Sequence, residues 1–300
     1  MTNSDYINYT YDDRDFFEKI LFIDSGCDYN HSELKNNIDL KNCKSFVDNN
    51  LNDYTGHGTQ IISVLTGKIY LRGLIPNASI VVYKVTDYRG KTSIEKIYKA
   101  LSQGVKKGFK VINVSFSGAI DSIFYTKKFQ EIIDEARIKN IIICWSPMNN
   151  DNRLNNHKNN TNLIPNDFKN LFQIGSINRL NQISNLVCNE NEIDFFAPGG
   201  DLVSETIPIE ESFILLANTQ LLCKLSDYYI GIPKGYTINM GNSIATSYAS
   251  GCFMIIISKF KRKYKYYPSI NEVLKLISKY SNSEINLIKI TRSVVENALI

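Results

Sequence analysis

The 300-residue sequence predicts an α/β fold, a three-layer doubly wound and mostly parallel sheet with helices on both faces. Three observations predict it. Short apolar runs closed by turn residues recur along the chain: Lys19–Ser25 (KILFIDS), Ser79–Val85 (SIVVYKV), Val111–Ser115 (VINVS) and Ile141–Trp145 (IIICW). Segments with apolar residues at helical spacing fall between them, as in Ile94–Lys107 with Ile94, Ile97, Ala100, Leu101 and Val105. Finally, Gly235–Ser258 passes from a turn into small and then apolar residues (Ala245, Ala249, Gly251, Cys252, Phe253, Ile255, Ile256), the pattern of a helix pressed closely against a sheet.

Composition bounds the rest. At 43% hydrophobic, 21% charged and net charge +4, the chain is globular rather than disordered and long enough for one large domain. The single domain is expected to span 1–300, with an arm over 1–17, an insertion over 201–234 and a helical segment over 268–300. The N-terminus has no basic region followed by an apolar one, so no secretory signal is expected. No uninterrupted apolar run is long enough to span a bilayer. Six scattered cysteines without a CxxC read as reduced thiols, several in the core, which points to the cytoplasm. The basic run Lys259–Lys265 reads as a solvated helix end, not a nucleic-acid or membrane patch. No GxGxxG or P-loop follows a strand, so a nucleotide-binding domain is not expected; no cofactor is expected.

Taken in order, the first strand ends at Asp24-Ser25-Gly26. Functional residues of parallel sheets gather where strands end at their C-terminal edge, although Asp-Ser-Gly also simply makes a turn. A short strand is expected at Lys44–Val47. Thr55-Gly56-His57-Gly58-Thr59 then makes a tight turn into a helix beginning near Gln60, which leaves His57 accessible at the helix start. After the strands and helix already named, the expected elements are a helix over Phe129–Ile138, strands over Leu171–Ile177 and Ile193–Phe196, and a helix over Pro268–Ser281 capped by Ser269. Asn149–Asn162 reads as a long surface loop. Ser243 falls in the first turn of the long apolar helix. Alone it reads as an N-cap; with Asp24 and His57 at the mouth of the same sheet, it reads as a nucleophile with a base and an orienting carboxylate.

Phe22-Ile23-Asp24-Ser25-Gly26, Gly56-His57-Gly58-Thr59 and Gly241-Asn242-Ser243-Ile244-Ala245 resemble the three catalytic motifs of the subtilisin-like serine proteases. Gly73–Pro76 (GLIP), Val111–Gly118 (VINVSFSG) and Asp194–Gly199 (DFFAPG) continue the resemblance, which covers about Lys19 to Tyr280. It implies a serine endopeptidase with His57 as base, Asp24 orienting it and the Ser243 N–H donating to the oxyanion. Alignment puts the second oxyanion donor at Asn149, with Asn150 adjacent. Ser115, Phe116, Ser117 and Gly118 fall on the edge that pairs with substrate. Leu163 falls where a glycine floors the specificity pocket, which implies a small residue before the cut.

The chain departs from the family pattern in places. Asn242 replaces a threonine, Ser247 a proline, and Pro147-Met148 smaller residues. Gly67–Gly73 is too short for the usual calcium loop, so no metal is expected and Glu33 reads as an ordinary surface acid. The apolar centre of the insertion, FILLANTQLLCKL, reads as a packed extra helix, the alternative being a flap over substrate. About two dozen residues precede Asp24, too few for an inhibitory propeptide, so an intracellular enzyme of narrow specificity is expected. Within the family the sequence resembles the lantibiotic leader peptidases, which implies a precursor-peptide substrate. The alternatives are a general degradative subtilisin and a subtilisin-fold protein that binds peptides without cutting them.

Overall fold

The computed structural model describes residues 18–120, 123–150, 162–164, 168–203, 212–222, 227 and 229–280. In chain order its elements are β1 (Ile20–Asp24), β2 (Lys44–Ser45), α1 (His57–Thr66), β3 (Ile80–Lys84), α2 (Ile94–Lys107), β4 (Val111–Val114), β5 (Gly118–Ile120), α3 (Ile123–Ile138), β6 (Ile142–Trp145), β7 (Asn162–Ile164), β8 (Phe172–Ile177), β9 (Phe195–Pro198), β10 (Ile214–Ala217), β11 (Tyr236–Asn239), α4 (Asn242–Tyr264) and α5 (Ile270–Tyr280). Seven strands form one sheet in the order β2-β3-β1-β4-β6-β8-β9, with every pairing parallel. From β1 the chain runs first to one side of the sheet and then to the other. Such a reversal opens a crevice at the C-terminal ends of the strands.

The three layers follow from the alternation of side chains along buried strands. Ile20 and Phe22 of β1 join a core with α1, α4 and α5, whereas Leu21 and Ile23 join one with α2 and α3. Helix α4 is buried along most of its length, with Ala245, Ala249, Cys252, Phe253 and Ile256 all sealed. By length and composition it could cross a membrane, but 83% of its apolar window lies inside the protein. Its basic end follows expectation: Lys261, Arg262 and Lys263 fill the last turn, and Lys261 pairs with Glu18 at 2.6 Å. Helix α5 starts with a reciprocal cap. The Ser269 hydroxyl accepts the Glu272 N–H, and the Glu272 carboxylate accepts the Ser269 N–H. The five described cysteines are free thiols, and Cys27, Cys144 and Cys252 are buried.

Several expectations need correction. Helix α3 starts at Ile123, ahead of the expected Phe129, and β9 lies at Phe195–Pro198, two residues beyond its expected start. The apolar centre of the insertion is no helix where it is described. Ile214–Ala217 is a strand, antiparallel to Tyr236–Asn239, with Ala217 opposite Tyr236. A short apolar run carries no periodicity that separates strand from buried helix. Its partner strand, β11, begins right after Gly235, in the stretch whose sequence pattern predicts a turn. The arm over 1–17 and the loop core over 151–161 lie outside the described residues.

Glu33 is not a surface acid but fully buried. Its Oε2 accepts the N–H groups of Lys68 (2.7 Å) and Ile69 (2.9 Å). Its Oε1 accepts those of Tyr70 (2.7 Å) and Leu71 (3.3 Å) and the Tyr236 hydroxyl (2.9 Å). The shortened segment after α1 thus turns its amides onto the carboxylate. Five hydrogens point where a calcium ion would need lone pairs, so the residues here do not fit that metal. Burial favours the neutral acid, but the Tyr70, Ile69 and Lys68 amides and the Tyr236 hydroxyl outweigh it and hold the Glu33 pKa below its ordinary 4.5. Its contribution to stability is therefore complete above pH 4.5 and is lost as pH falls through the depressed value. Glu33→Gln is expected to lower unfolding free energy at neutral pH by about 1.5–3 kcal/mol. In urea melts across pH, this variant should also lose the part of the acid destabilisation that the carboxylate carries.

Candidate active site

Asp24 is the last residue of β1, at the point where the chain reverses direction across the sheet. It is fully buried. Its Oδ1 accepts the Ser25 N–H at 2.7 Å and lies 2.7 Å from His57 Nδ1. Among the described residues no donor reaches Oδ2. The negative charge is therefore sealed from water on every side except the one the imidazole covers.

His57 is the first residue of α1, and glycines place it there for steric reasons. Gly56 sits at φ +80°, where a Cβ would lie 2.2 Å from Asn218 Oδ1; a Cβ on Gly58 would lie 2.1 Å from the Gly26 carbonyl oxygen. The turn is held by buried Asp53, which accepts the N–H groups of Thr55, Gly56 and Thr59 and the hydroxyls of Ser25, Thr55 and Thr59. Ser25 in turn accepts the Gly58 N–H at 2.9 Å, joining the end of β1 to the start of α1. His57 Nε2 then stands 3.3 Å from Ser243 Oγ. The His57 side chain is 33% exposed while Asp24 is sealed beneath it. Burial opposes protonation of the ring, but the Asp24 charge and hydrogen bond, with a smaller effect from Asp53, outweigh it and raise the pKa above 6.5.

Ser243 is not the N-cap of α4; that position is held by Gly241. The serine lies in the first turn, where a backbone N–H has no acceptor within the helix. A Cβ built on Gly241 would lie 3.3 Å from Ser243 Oγ, 3.5 Å from Asn149 Nδ2 and 3.8 Å from Ser243 N. Gly241 thus keeps clear a space onto which the serine oxygen, its N–H and the Asn149 amide converge. Asn149 faces this space because its Oδ1 is occupied by the Asn242 N–H at 3.0 Å. Asn150 turns away: its N–H donates to the Leu186 carbonyl and its side-chain amide to the Asn185 carbonyl.

Beyond β4, Ser115 is buried, Phe116 half-buried and Ser117 exposed. The Phe116 ring lies 6.3 Å from that of His57, and its carbonyl accepts a hydrogen bond from buried Trp145 Nε1. Gly118 opens β5, which pairs antiparallel with β7, Gly118 facing Ile164 and Ala119 facing Leu163. Asp53, Gly241, Trp145 and the buried side chain of Asn242 escaped the sequence reading. For Asp53 a signal was there, since Asp-x-Thr-Gly is turn chemistry leading into a helix.

Three motifs in this order, brought together at the C-terminal edge of this sheet, are explained by descent. The chain belongs to the subtilase family, whose profile matches residues 18–279. Subtilisin E of Bacillus subtilis (strain 168) is 25% identical over 248 residues, covering 80% of this chain and 55% of its own length. The major intracellular serine protease of the same organism is 26% identical over 202 residues, covering 63% of this chain and 60% of its own. The chain thus spans little more than half the length of these curated relatives. The crystal structure of a lanthipeptide protease superposes with TM-score 0.79 at 25% identity, covering 94% of this chain and 86% of the other. The nisin leader peptidase of Lactococcus lactis shares the fold, with TM-score 0.74 at 17% identity, covering 99% and 91%.

The geometry around His57 sets its titration. Nuclear magnetic resonance of the ring is expected to show a midpoint above 6.5 in the folded protein. Asp24→Asn should move it down, because the charge that opposes the burial penalty is gone while the burial remains.

Proposed function

We propose that the chain is a serine endopeptidase that removes the leader from a lanthipeptide precursor. The observation that carries the catalytic part is the relay from Asp24 through His57 to Ser243, opening beside the space that Gly241 keeps clear. In this reading Ser243 Oγ attacks the scissile carbonyl carbon and its proton passes to His57 Nε2. Asp24 holds the ring and stabilises the imidazolium. The carbonyl electron pair moves onto oxygen, which enters the cleared space and accepts from Ser243 N–H and Asn149 Nδ2. The tetrahedral species collapses, the C–N bond breaks, and the leaving amine takes the proton from His57. Water then repeats the sequence on the acyl-enzyme and frees the carboxylate. The likeness to the solved lanthipeptide protease over 94% of the chain supports the choice of substrate class. In this reading an extended peptide would lie along Ser115–Gly118, and Leu163 occupies the sequence position at which the family resemblance puts the floor of the pocket for the residue before the cut.

A digest of a diverse peptide library, with Ser243→Ala as blank and new termini read by mass spectrometry, tests both levels. One tight motif, reproduced on a lanthipeptide precursor at its leader junction, is the expected result. Cleavage at many unrelated sites would replace the leader reading with a general degradative one. No cleavage by folded protein would leave a peptide binder.

Gly241→Ala tests the cleared space separately. Gly241 has φ 163°, extended backbone that any residue adopts, so the substitution should leave stability within about 1 kcal/mol. By filling the space it should slow ester hydrolysis by about 10²–10³-fold, the usual cost of losing an oxyanion donor.

A further inference from the structure

Asn242 stands where the family pattern has threonine, and it is fully buried with each of its polar groups engaged. Its backbone N–H donates to Asn149 Oδ1 at 3.0 Å. Its side-chain Nδ2 donates to the Met148 carbonyl at 3.2 Å and the Leu186 carbonyl at 3.3 Å. Its Oδ1 accepts the Ser176 N–H from β8 at 2.9 Å, and its carbonyl accepts the Thr246 hydroxyl at 2.7 Å. Among the described residues, the segment carrying Asn149 is otherwise held to its neighbour by the bridge from Asn149 to Val187, the bonds of Asn150 to Leu186 and Asn185, and the Cys188 thiol on the Met148 carbonyl. Asn242 clips both segments at once, from the residue next to the nucleophile.

We propose that Asn242 is the positioning residue of the oxyanion site, setting the depth and facing of the Asn149 amide relative to Ser243. This rests on the reading of Asn149 and Ser243 given above. The geometry carries it in two ways. By occupying Asn149 Oδ1, the residue 242 backbone fixes which end of that amide faces the Gly241 space. By holding the Met148 carbonyl, the side chain fixes how far the loop stands from the first turn of α4. A threonine hydroxyl has one hydrogen to donate, so it cannot serve the Met148 and Leu186 carbonyls together while also accepting from Ser176.

The test is a double-mutant cycle of Asn149→Ala and Asn242→Ala, with Asn242→Thr as a milder second variant. The readouts are kcat and KM on the peptide best cleaved in the library, the rate of Ser243 labelling by a fluorophosphonate, and the thermal midpoint. Asn149→Ala is expected to lower kcat by about 10²–10³-fold. Asn242→Ala should lower kcat and the labelling rate by about 10–100-fold with KM within about twofold, and by less than about threefold in the Asn149→Ala background. Asn242→Thr should fall between Asn242→Ala and wild type, and it serves in the cycle if the alanine variant does not fold. Losses that multiply in the double variant, or that track only the thermal midpoint, would overturn the proposal while leaving the triad intact. A folded wild-type protein that neither cleaves nor takes the probe would overturn the reading of the site, and the proposal with it.

Discussion

Carboxylates shut away from water dictate how the first part of this chain is arranged. Asp24, Glu33 and Asp53 are each fully buried, and an ionised carboxylate left unpaired in such a place costs several kcal/mol. Each is therefore the centre of a loop whose amides turn inward. The residues around 53–59 wrap Asp53, those at 68–71 wrap Glu33, and Ser25 with His57 covers Asp24. The geometry of the candidate site is one outcome of this arrangement. Ser25 donates to Asp53 and accepts from Gly58, so the position of His57 over Asp24 is fixed by the same bonds that satisfy the second acid. Buried Lys84, paired with Asp48 and lying over the Tyr54 ring, anchors the same loop from the neighbouring strand.

The other half of the site hangs on α4, and hydroxyls rather than bulk set its placement. Ser247 donates to the Ile61 carbonyl of α1 at 2.7 Å, tying the serine helix to the histidine helix in a single step. Ser250 reaches Asn113 of β4 at 3.1 Å. A Cβ on Gly251 would come within 2.5 Å of Leu65 Cδ2, so the Leu65 side chain of α1 packs directly onto the α4 backbone there. These contacts explain why a serine is accepted at 247. It supplies a bond that a proline could not.

Most of the sheet was legible in the sequence because buried parallel strands are short apolar runs and their crossovers are amphipathic. Asp24, His57 and Ser243 were legible because glycines and helix starts single them out. What escaped was set by distant partners. Ile214–Ala217 becomes a strand only because Tyr236–Asn239 lies beside it. Glu33 is buried only because a segment more than thirty residues later folds its amides over it. The role of Asn242 is hidden for the same reason, since its four partners outside α4 come from three separate segments and none is adjacent to it in sequence. The choice between Asn149 and Asn150 likewise needed the carbonyls of Asn185 and Leu186, which claim the second asparagine.

The ladder between β10 and β11 has an evolutionary consequence. It ends on Ala217 opposite Tyr236, and the Asn218 N–H closes it onto the Gly235 carbonyl at 2.7 Å. The chain therefore leaves this ladder at Asn218 and rejoins it at Gly235, at one closed end. Doubling the length of such a loop costs only about 0.6 kcal/mol in closure entropy. A change of length between these two points would therefore leave the strand that leads into α4 in register. The closed end thus marks a place where relatives of this chain could differ in length without disturbing that strand.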